Sequence, residues 1–152
     1  MAIEAPLSKY RKNNFKIGIA VLVGLAIWFA YDGYQNEKFI QKHTDQSGVP
    51  DSTLVFNRTA PPYLAAGALI LGVYLFAIKN KKVIAGQDRL VIGKREIAYD
   101  SIEKIDKTHF NSKGYFVVTY KDYQGVDSNL KISDRTYDNL PAVLDELIAK
   151  IS

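Results

Sequence analysis

Residues 17–31 read IGIAVLVGLAIWFAY, and residues 60–78 read APPYLAAGALILGVYLFAI. Neither stretch contains a charged side chain. With the first extended to residues 15–34, each would form a helix about 30 Å long, which matches the hydrocarbon core of a bilayer. Buried helices of soluble proteins have shorter apolar runs, of about 10–14 residues. The two stretches therefore predict membrane-spanning helices over about residues 15–34 and 60–78.

The first apolar stretch also follows basic residues, as the apolar region of a secretory signal peptide does. A cut after Ala30 would place the bulky Trp28 where the cleavage site requires a small side chain. An uncleaved membrane anchor is therefore the better interpretation.

The segment between the spans, residues 35–59, is predicted to be a connecting loop. Residues 35–43 would continue the first helix past the membrane surface, and the turn-forming residues 48–51 would break it. Pro61 and Pro62 suit the first turn of the second helix, where their missing N–H groups cost nothing.

Basic residues lie on one side of the two spans. Residues 32–59 carry three basic and four acidic side chains. A basic cluster flanks the other ends of the spans and consists of Lys9, Arg11, Lys12, Lys16, Lys79, Lys81 and Lys82. Because basic residues are enriched in cytoplasmic segments, both ends of the chain are predicted to face the cytoplasm and the loop to lie outside.

The basic cluster has a second expected role at the membrane surface. Setting the topology is a sufficient explanation for it. A basic side chain near anionic lipid also gains about 1 kcal/mol of attraction, which makes membrane lipid an expected partner.

Composition excludes several classes of protein. The chain has 152 residues, 47% of them hydrophobic, and a formal net charge of +4. This apolar content excludes a disordered chain. The absence of cysteine excludes a disulfide scaffold, a cysteine nucleophile and thiolate metal sites.

Residues 82–152 differ in pattern from the apolar half. Short β-rich segments alternate with turn residues and predict strands at residues 83–85, 90–92, 96–99, 102–105, 115–120 and 129–133. Residues 111–114 are predicted to form a hairpin turn. A helical stripe then closes the sequence, with Asp138 as its expected N-cap; its apolar members are Leu140, Val143, Leu144, Leu147, Ile148 and Ile151. The helix is expected to cover a small sheet.

This order of elements resembles the pleckstrin-homology-like (PH-like) fold, and in particular the PH domains appended to small bacterial membrane proteins. The resemblance is carried by residues 95–105 (REIAYDSIEKI), by the strand with its preceding turn at 113–120 (KGYFVVTY), and by 144–147 (LDEL) in the closing helix. It covers about half of the chain. The resemblance implies a β-sandwich or barrel capped by a helix, located at a bacterial cytoplasmic membrane and used for binding or assembly.

The predicted fold class is thus an α+β membrane protein, a two-helix transmembrane hairpin followed by a small PH-like antiparallel domain. Residues 1–81 are assigned to the membrane region and residues 82–152 to a cytoplasmic domain that is expected to fold on its own.

Side chains for chemistry are scarce. The only histidines, His43 and His109, fall on opposite sides of the predicted membrane and cannot share a metal ion. Glu103, Asp106 and His109 are spaced like ligands on a helix, but the segment alternates like a strand, so a solvated edge is the better interpretation. No phosphate-binding loop or hydrolase motif occurs. The sequence therefore predicts no enzyme, no cofactor, no metal site and no small-molecule substrate.

Small residues recur four apart in each span: Ala20 and Gly24 in the first, and Ala68 and Gly72 in the second. This spacing lets helices approach closely in lipid. Gly24 and Gly72 fall at similar depths, so the four residues are predicted to form the contact between the spans.

The expected function is non-catalytic: a membrane-anchored binding or scaffolding protein whose domain recognises a protein partner. The alternative is an accessory subunit of a larger membrane complex. Expected partners are other membrane or cytoplasmic proteins, including another copy of the chain. Nucleic acid is not expected, because acidic and basic residues are evenly interspersed after residue 82.

Overall fold

The computed structural model describes residues 1–152, which form two compact units. The helical unit comprises residues 13–77, and the sheet unit comprises residues 1–12 together with 78–152. The elements in chain order are β1 (Ile3–Pro6), α1 (Lys9–Tyr34), α2 (Glu37–Lys42), α3 (Ser52–Ile78), β2 (Lys82–Ala85), β3 (Arg89–Ile92), β4 (Arg95–Ala98), β5 (Ile102–Asp106), α4 (Phe110–Lys113), β6 (Tyr115–Lys121), β7 (Asp127–Ser133) and α5 (Leu140–Ile151).

The helical unit contains two helices that are long and apolar enough to cross a membrane, as predicted. Helices α1 and α3 have 26 and 27 residues, and the mean hydropathy of their most apolar windows is 1.7 and 1.8. None of the window in α1 and only 11% of that in α3 is buried within the protein. The two helices run antiparallel, with ring contacts between Phe15 and Tyr74 and between Phe29 and Phe56, whose centroids lie 5.4 and 5.5 Å apart.

Helix α3 begins eight residues earlier than the predicted span. Asp51 determines this start, because its Oδ1 accepts the N–H of Leu54 at 2.9 Å and so caps the helix. Pro61 and Pro62 consequently lie inside the helix and not in its first turn, so that prediction was wrong. Proline cannot donate to the carbonyl four residues before it, and the carbonyl of Arg58 instead accepts the Tyr34 hydroxyl at 3.1 Å.

The connection between α1 and α3 is shorter and more ordered than the predicted loop. Helix α2 is separate from α1, because the helix is interrupted at Asn36. The side-chain oxygen of Asn36 accepts the Phe39 N–H and so caps α2. His43 Nδ1 lies 2.7 Å from Asp51 Oδ2. The Leu54 N–H and then the His43 ring lower the pKa of Asp51 below its ordinary value.

The sheet unit has two antiparallel sheets, in strand order β1-β2-β3-β4 and β5-β6-β7. Helix α5 closes them, and its predicted stripe is buried at Leu140, Val143, Leu144 and Leu147. Opposite that helix the core contains Val83, Leu90, Ile97, Phe116, Val118 and Ile132. The predicted strands β2 to β7 are all present, with ends that differ by one or two residues.

Strand β1 was not predicted, and it changes the division of the chain. It pairs with β2 in the register Ile3↔Ala85 to Pro6↔Lys82, and Ala5 is fully buried. The assignment of residues 1–81 to the membrane region was therefore wrong for residues 1–12. The helical unit is an insertion between two neighbouring strands of one sheet.

Two local predictions at turns were also wrong. Residues 111–114 form most of α4 and its C-terminal Gly114, which has a φ of +69° and is covered by the Asp134 carboxylate. Asp138 does not cap α5. Its Oδ2 accepts the N–H of Lys9 at 3.0 Å, so it caps the start of α1, while Asn139 precedes α5 with a φ of +62°.

Leu147 tests the packing of α5 on the sheets. Replacing this fully buried residue with Ala is expected to lower the free energy of unfolding of the sheet unit by about 2–5 kcal/mol. Leu147→Asp is expected to abolish its cooperative thermal transition, followed by circular dichroism. The matched control is Ala149→Asp, because Ala149 is exposed on the same helix. An unchanged transition in Leu147→Asp would contradict the packing of this helix on the sheet.

Candidate functional site

The sheet unit carries a groove of about 590 Å³ along its edge strand β4. The residues that line this β4 groove come from the β3–β4 hairpin and from the end of β6 with the following turn: Asp88, Arg89, Lys94, Arg95, Glu96, Ile97, Ala98, Ser101, Tyr120, Lys121, Asp122 and Tyr123. The lining thus includes all of β4, which pairs with no strand other than β3, although its Ala98 carbonyl accepts the Ser101 hydroxyl at 2.7 Å. One long side of β4 faces no other strand.

Arg89 has two carboxylate partners at the β4 groove. Its guanidinium contacts Asp88 at 2.8 Å and Glu96 at 2.7 Å. The hydrogen bonds to Asp88 and then to Glu96 raise the pKa of Arg89, and Arg89 in turn lowers the pKa of Asp88. With one cation and two carboxylates, this trio keeps a net charge of −1.

Two further charged side chains of the groove are also occupied. Lys121 Nζ lies 2.8 Å from Asp127 and 3.2 Å from Glu103, and the hydrogen bond to Asp127 is the largest cause of the raised pKa of Lys121. Asp122 Oδ1 accepts the N–H groups of Gln124 and Val126, which holds the β6–β7 turn.

Lys94 and Arg95 are the lining cations that enter none of the ion pairs of the structure. Both also line a second cavity of about 360 Å³, whose other lining residues are Lys81, Ile92, Gly93, Leu130 and Tyr137. Three cations and no carboxylate line this second cavity. Burial raises the pKa of Tyr137, which also lines this cavity. Lys94 and Arg95 therefore concentrate uncompensated positive charge between the two cavities.

Six of the seven members of the predicted basic cluster belong to one unit. Lys16 belongs to the helical unit and the other six to the sheet unit, where the Leu7 N–H donates to the Lys81 carbonyl at 3.0 Å. Lys82 Nζ forms an ion pair with Glu4 at 2.6 Å, and Arg11 Nη1 donates to Thr136 Oγ1 at 3.3 Å. The sequence analysis did not identify Lys94 and Arg95. They line the same cavity as Lys81 only because the β3–β4 turn folds back beside β2.

The predicted contact between the spans is placed differently by the structure. A side chain added at Gly24 or Gly72 would meet nothing within 4 Å, and Ala20 is exposed, whereas Ala68 is buried. The close approaches are at Gly18, next to Leu71, and at Gly67, next to Leu22. A spacing of four residues identified small residues in each helix, but it did not identify which of them face the other helix.

Among the glycines of α1 and α3, Gly33 makes the closest approach to the other helix. A Cβ there would lie 3.0 Å from the carbonyl oxygen of Asn57. Arg58 Nε donates to the Gly33 carbonyl at 2.8 Å, which satisfies an acceptor that the end of α1 leaves open, and the guanidinium lies 5.7 Å from the centre of the Tyr34 ring. The sequence contains one signal for this contact, which is that Arg58 lies next to a predicted span that is otherwise uncharged.

We expect Gly33→Ile to lower the melting temperature of the detergent-solubilised protein, because the added side chain must displace the α3 backbone at a cost of about 1–3 kcal/mol. Gly72→Ile is the matched control, since that position has open space. Equal melting temperatures for the two variants would contradict the Gly33 contact.

The histidines and the spaced acidic residues have structural partners. His43 pairs with Asp51, and the ring of His109 lies 5.4 Å from that of Tyr115. Glu103 pairs with Lys121, and Asp106 Oδ1 accepts the Thr108 N–H at 3.0 Å. Glu103 and Asp106 lie on strand β5, as the alternation predicted, whereas His109 lies beyond its end.

Comparison with known protein families, with curated proteins and with solved structures finds no match to this chain. Any function assigned to it therefore depends on its own residues and geometry. The best candidate for a ligand site is the β4 groove with Lys94 and Arg95, which combines an open strand edge, the exposed ring of Tyr123 and two unpaired cations.

Proposed function

We propose that this chain is a non-catalytic, membrane-anchored binding module, with a PH-like cytoplasmic domain that recognises a protein partner at the membrane surface. The observation that carries the proposal is the insertion of an unburied apolar hairpin into a folded, polar sheet unit. One part can anchor the protein while the other remains free to bind.

The exposed surface of the helical unit supports membrane anchoring. Large apolar side chains such as Ile27, Leu69 and Phe76 are 66%, 69% and 70% exposed. Leaving one such side chain in water forgoes about 1.5–3 kcal/mol relative to burying it. An apolar hairpin with this much open surface is best accommodated by lipid.

The pairing of β1 with β2 supports the proposed topology. Because Leu7 is hydrogen-bonded to Lys81, the chain leaves the sheet unit and returns to it at adjacent points. A single domain cannot lie on two sides of a membrane, so the inserted helices must cross it an even number of times. With the basic residues at this end, the sheet unit lies in the cytoplasm and the α2 connection lies outside.

The layout of the sheet unit supports the PH-like assignment and a binding role. Seven strands form sheets of four and three, and an amphipathic helix closes them. The resemblance implies use in binding or assembly, and the β4 groove offers a surface for that use. Binding at such a surface requires no reacting group.

The alternative, an accessory subunit of a larger membrane complex, is favoured by one observation in the helical unit. Ala20 and Gly24 lie on an exposed face of α1, and the space beside Gly24 is open. A small-residue face that is not used within the hairpin suits close packing against a helix of another subunit.

Native extraction in mild detergent tests the proposal and separates it from the alternative. A binding module is expected in the membrane fraction after alkaline washing, and as a small species that captures its partner at cytoplasmic concentrations. An accessory subunit is expected to co-migrate with other membrane chains, and Gly24→Ile should release it from them. Recovery of the protein in the soluble fraction would contradict membrane anchoring.

A further inference from the structure

We infer that the β4 groove is the docking site for an extended, acidic segment of the partner protein, which adds to the sheet as a strand next to β4. This inference deepens the proposed function, on which it rests, by naming the site and the chemistry of the partner. The position of β4, the charge of the groove and its opposite wall each support it.

The position of β4 provides the backbone groups for docking. It is the last strand of its sheet, and five consecutive residues, Lys94 to Ala98, line the groove. Every second residue of an edge strand directs its N–H and C=O away from the neighbouring strand, where they can bond an added one. A partner segment of about four residues, about 14 Å long, would match the edge of β4, Arg95–Ala98.

Charge determines the kind of segment that fits. The other cations of the groove, Arg89 and Lys121, each contact two carboxylates, so neither cluster carries an excess of positive charge and the positive charge is confined to the end of β4 that starts at Lys94. Lys94 and Arg95 are not paired, and Lys81 adds a third cation in the adjoining cavity. The uncompensated charge at this end of β4 is therefore positive, and Asp or Glu side chains complement it.

The opposite wall of the groove provides apolar contact. Tyr120 and Tyr123 line it, and Tyr123 is 99% exposed at the tip of the β6–β7 turn. Tyrosine offers a large contact area and loses little side-chain entropy on binding. The expected partner segment thus alternates apolar residues, directed toward these rings, with acidic ones.

The test uses the full chain in nanodiscs of neutral phosphatidylcholine and, as probe, a phage-displayed library of random peptides about ten residues long. Enriched sequences are expected to be acidic with alternating apolar residues. A synthetic copy of one enriched peptide should bind K94E/R95E roughly tenfold or more weakly. The matched control K104E/K107E makes the same charge change at exposed residues outside the groove and should bind the peptide as the unaltered chain does.

Strand addition requires hydrogen bonds from the peptide backbone, whereas electrostatic attraction between side chains does not, so changes to the peptide backbone distinguish the two. N-methylation at alternate residues should abolish binding, and the peptide should slow hydrogen exchange at the amides of β4. Failure of the library to enrich peptides over empty nanodiscs, equal binding to K94E/R95E, or tolerance of N-methylation would overturn the inference.

Two other occupants are separate outcomes that would also overturn it. One is binding to phosphatidylserine nanodiscs in place of peptide, lost in K94E/R95E, which would assign Lys94 and Arg95 to lipid. The other is a dimer joined through β4 that occupies the groove. If K94E/R95E captured a protein partner as efficiently as the unaltered chain does, the β4 groove would be excluded as the docking site, but the proposed function would still hold.

Discussion

A soluble protein that joins Met1–Ser8 to Lys81–Ser152 through a short glycine–serine linker is expected to fold cooperatively, whereas Lys81–Ser152 alone is expected to remain unfolded. Leu7 and Lys81 are hydrogen-bonded at 3.0 Å, so a short linker can replace the helical unit without strain. The expected difference is a sigmoidal thermal transition in one protein and none in the other.

The physical reason is the share of the small domain that residues 3–8 provide. Ala5, Leu7 and Ser8 are at most 2% exposed, and the Ser8 hydroxyl donates to the Arg135 carbonyl at 2.7 Å. Without them β2 becomes an open edge and the core loses one side. The remaining 72 residues are near the lower size limit for a core without metal or disulfide, so, contrary to the expectation from the sequence, residues 82–152 should not fold without β1.

Two substitutions in the joined protein provide a matched control. Ala5→Lys places a charge at a fully buried position and should abolish the transition, whereas Ala2→Lys makes the same change at an exposed position and should leave it intact. A cooperative transition in Lys81–Ser152 alone, equal in midpoint to that of the joined protein, would show that β1 is dispensable.

The sequence-based prediction was strongest where periodicity is long or regular. The two apolar stretches predicted α1 and α3, alternation predicted the strands from β2 to β7, and the helical stripe predicted α5. Each of these signals is local, because the side chains that bury together are neighbours along one element.

Strand β1 could not be predicted in the same way. Its four residues, IEAP, are too few to show alternation and end in proline, and its partner strand lies beyond the whole helical unit. The start of α3 was missed for a related reason. Pro61 and Pro62 mark a helix start by their own chemistry, but the cap from Asp51 and the Tyr34 hydroxyl make an earlier start favourable.

The candidate site could not be predicted from local sequence patterns either. Lys94 lies in the β3–β4 turn and Arg95 begins β4, and adjacent basic residues at such a turn are common on protein surfaces. What distinguishes them is that Arg89 and Lys121 have carboxylate partners and they do not. That difference depends on contacts across strands, which the sequence does not reveal.

The second large expected effect is the difference in labelling across the membrane. The chain has no cysteine, so a single introduced cysteine is the only thiol. Ser47, in the connection between α2 and α3, and Ser112, in α4, are both exposed, and a cysteine at either should react equally well once the membrane is opened. In intact cells, the proposed topology predicts that only one of them reacts.

A third position tests the insertion of the helical unit into the sheet unit. Ala2 is exposed next to β1, and β1 pairs with β2, so Ala2 and Ser112 belong to the same unit. A cysteine at Ala2 must therefore behave like one at Ser112 and unlike one at Ser47. If the chain crossed the membrane only once, or if its two helices were independent anchors, cysteines at Ala2 and Ser112 would not have to lie on the same side of the membrane.

Labelling of Ser47→Cys, Ser112→Cys and Ala2→Cys with a membrane-impermeant maleimide is thus the most direct measurement of a membrane hairpin inserted between two strands. The predicted result is reaction of Ser47→Cys in intact cells, and of Ser112→Cys and Ala2→Cys only after permeabilisation. Reaction of Ala2→Cys and Ser112→Cys on different sides, or of all three alike in intact cells, would contradict it.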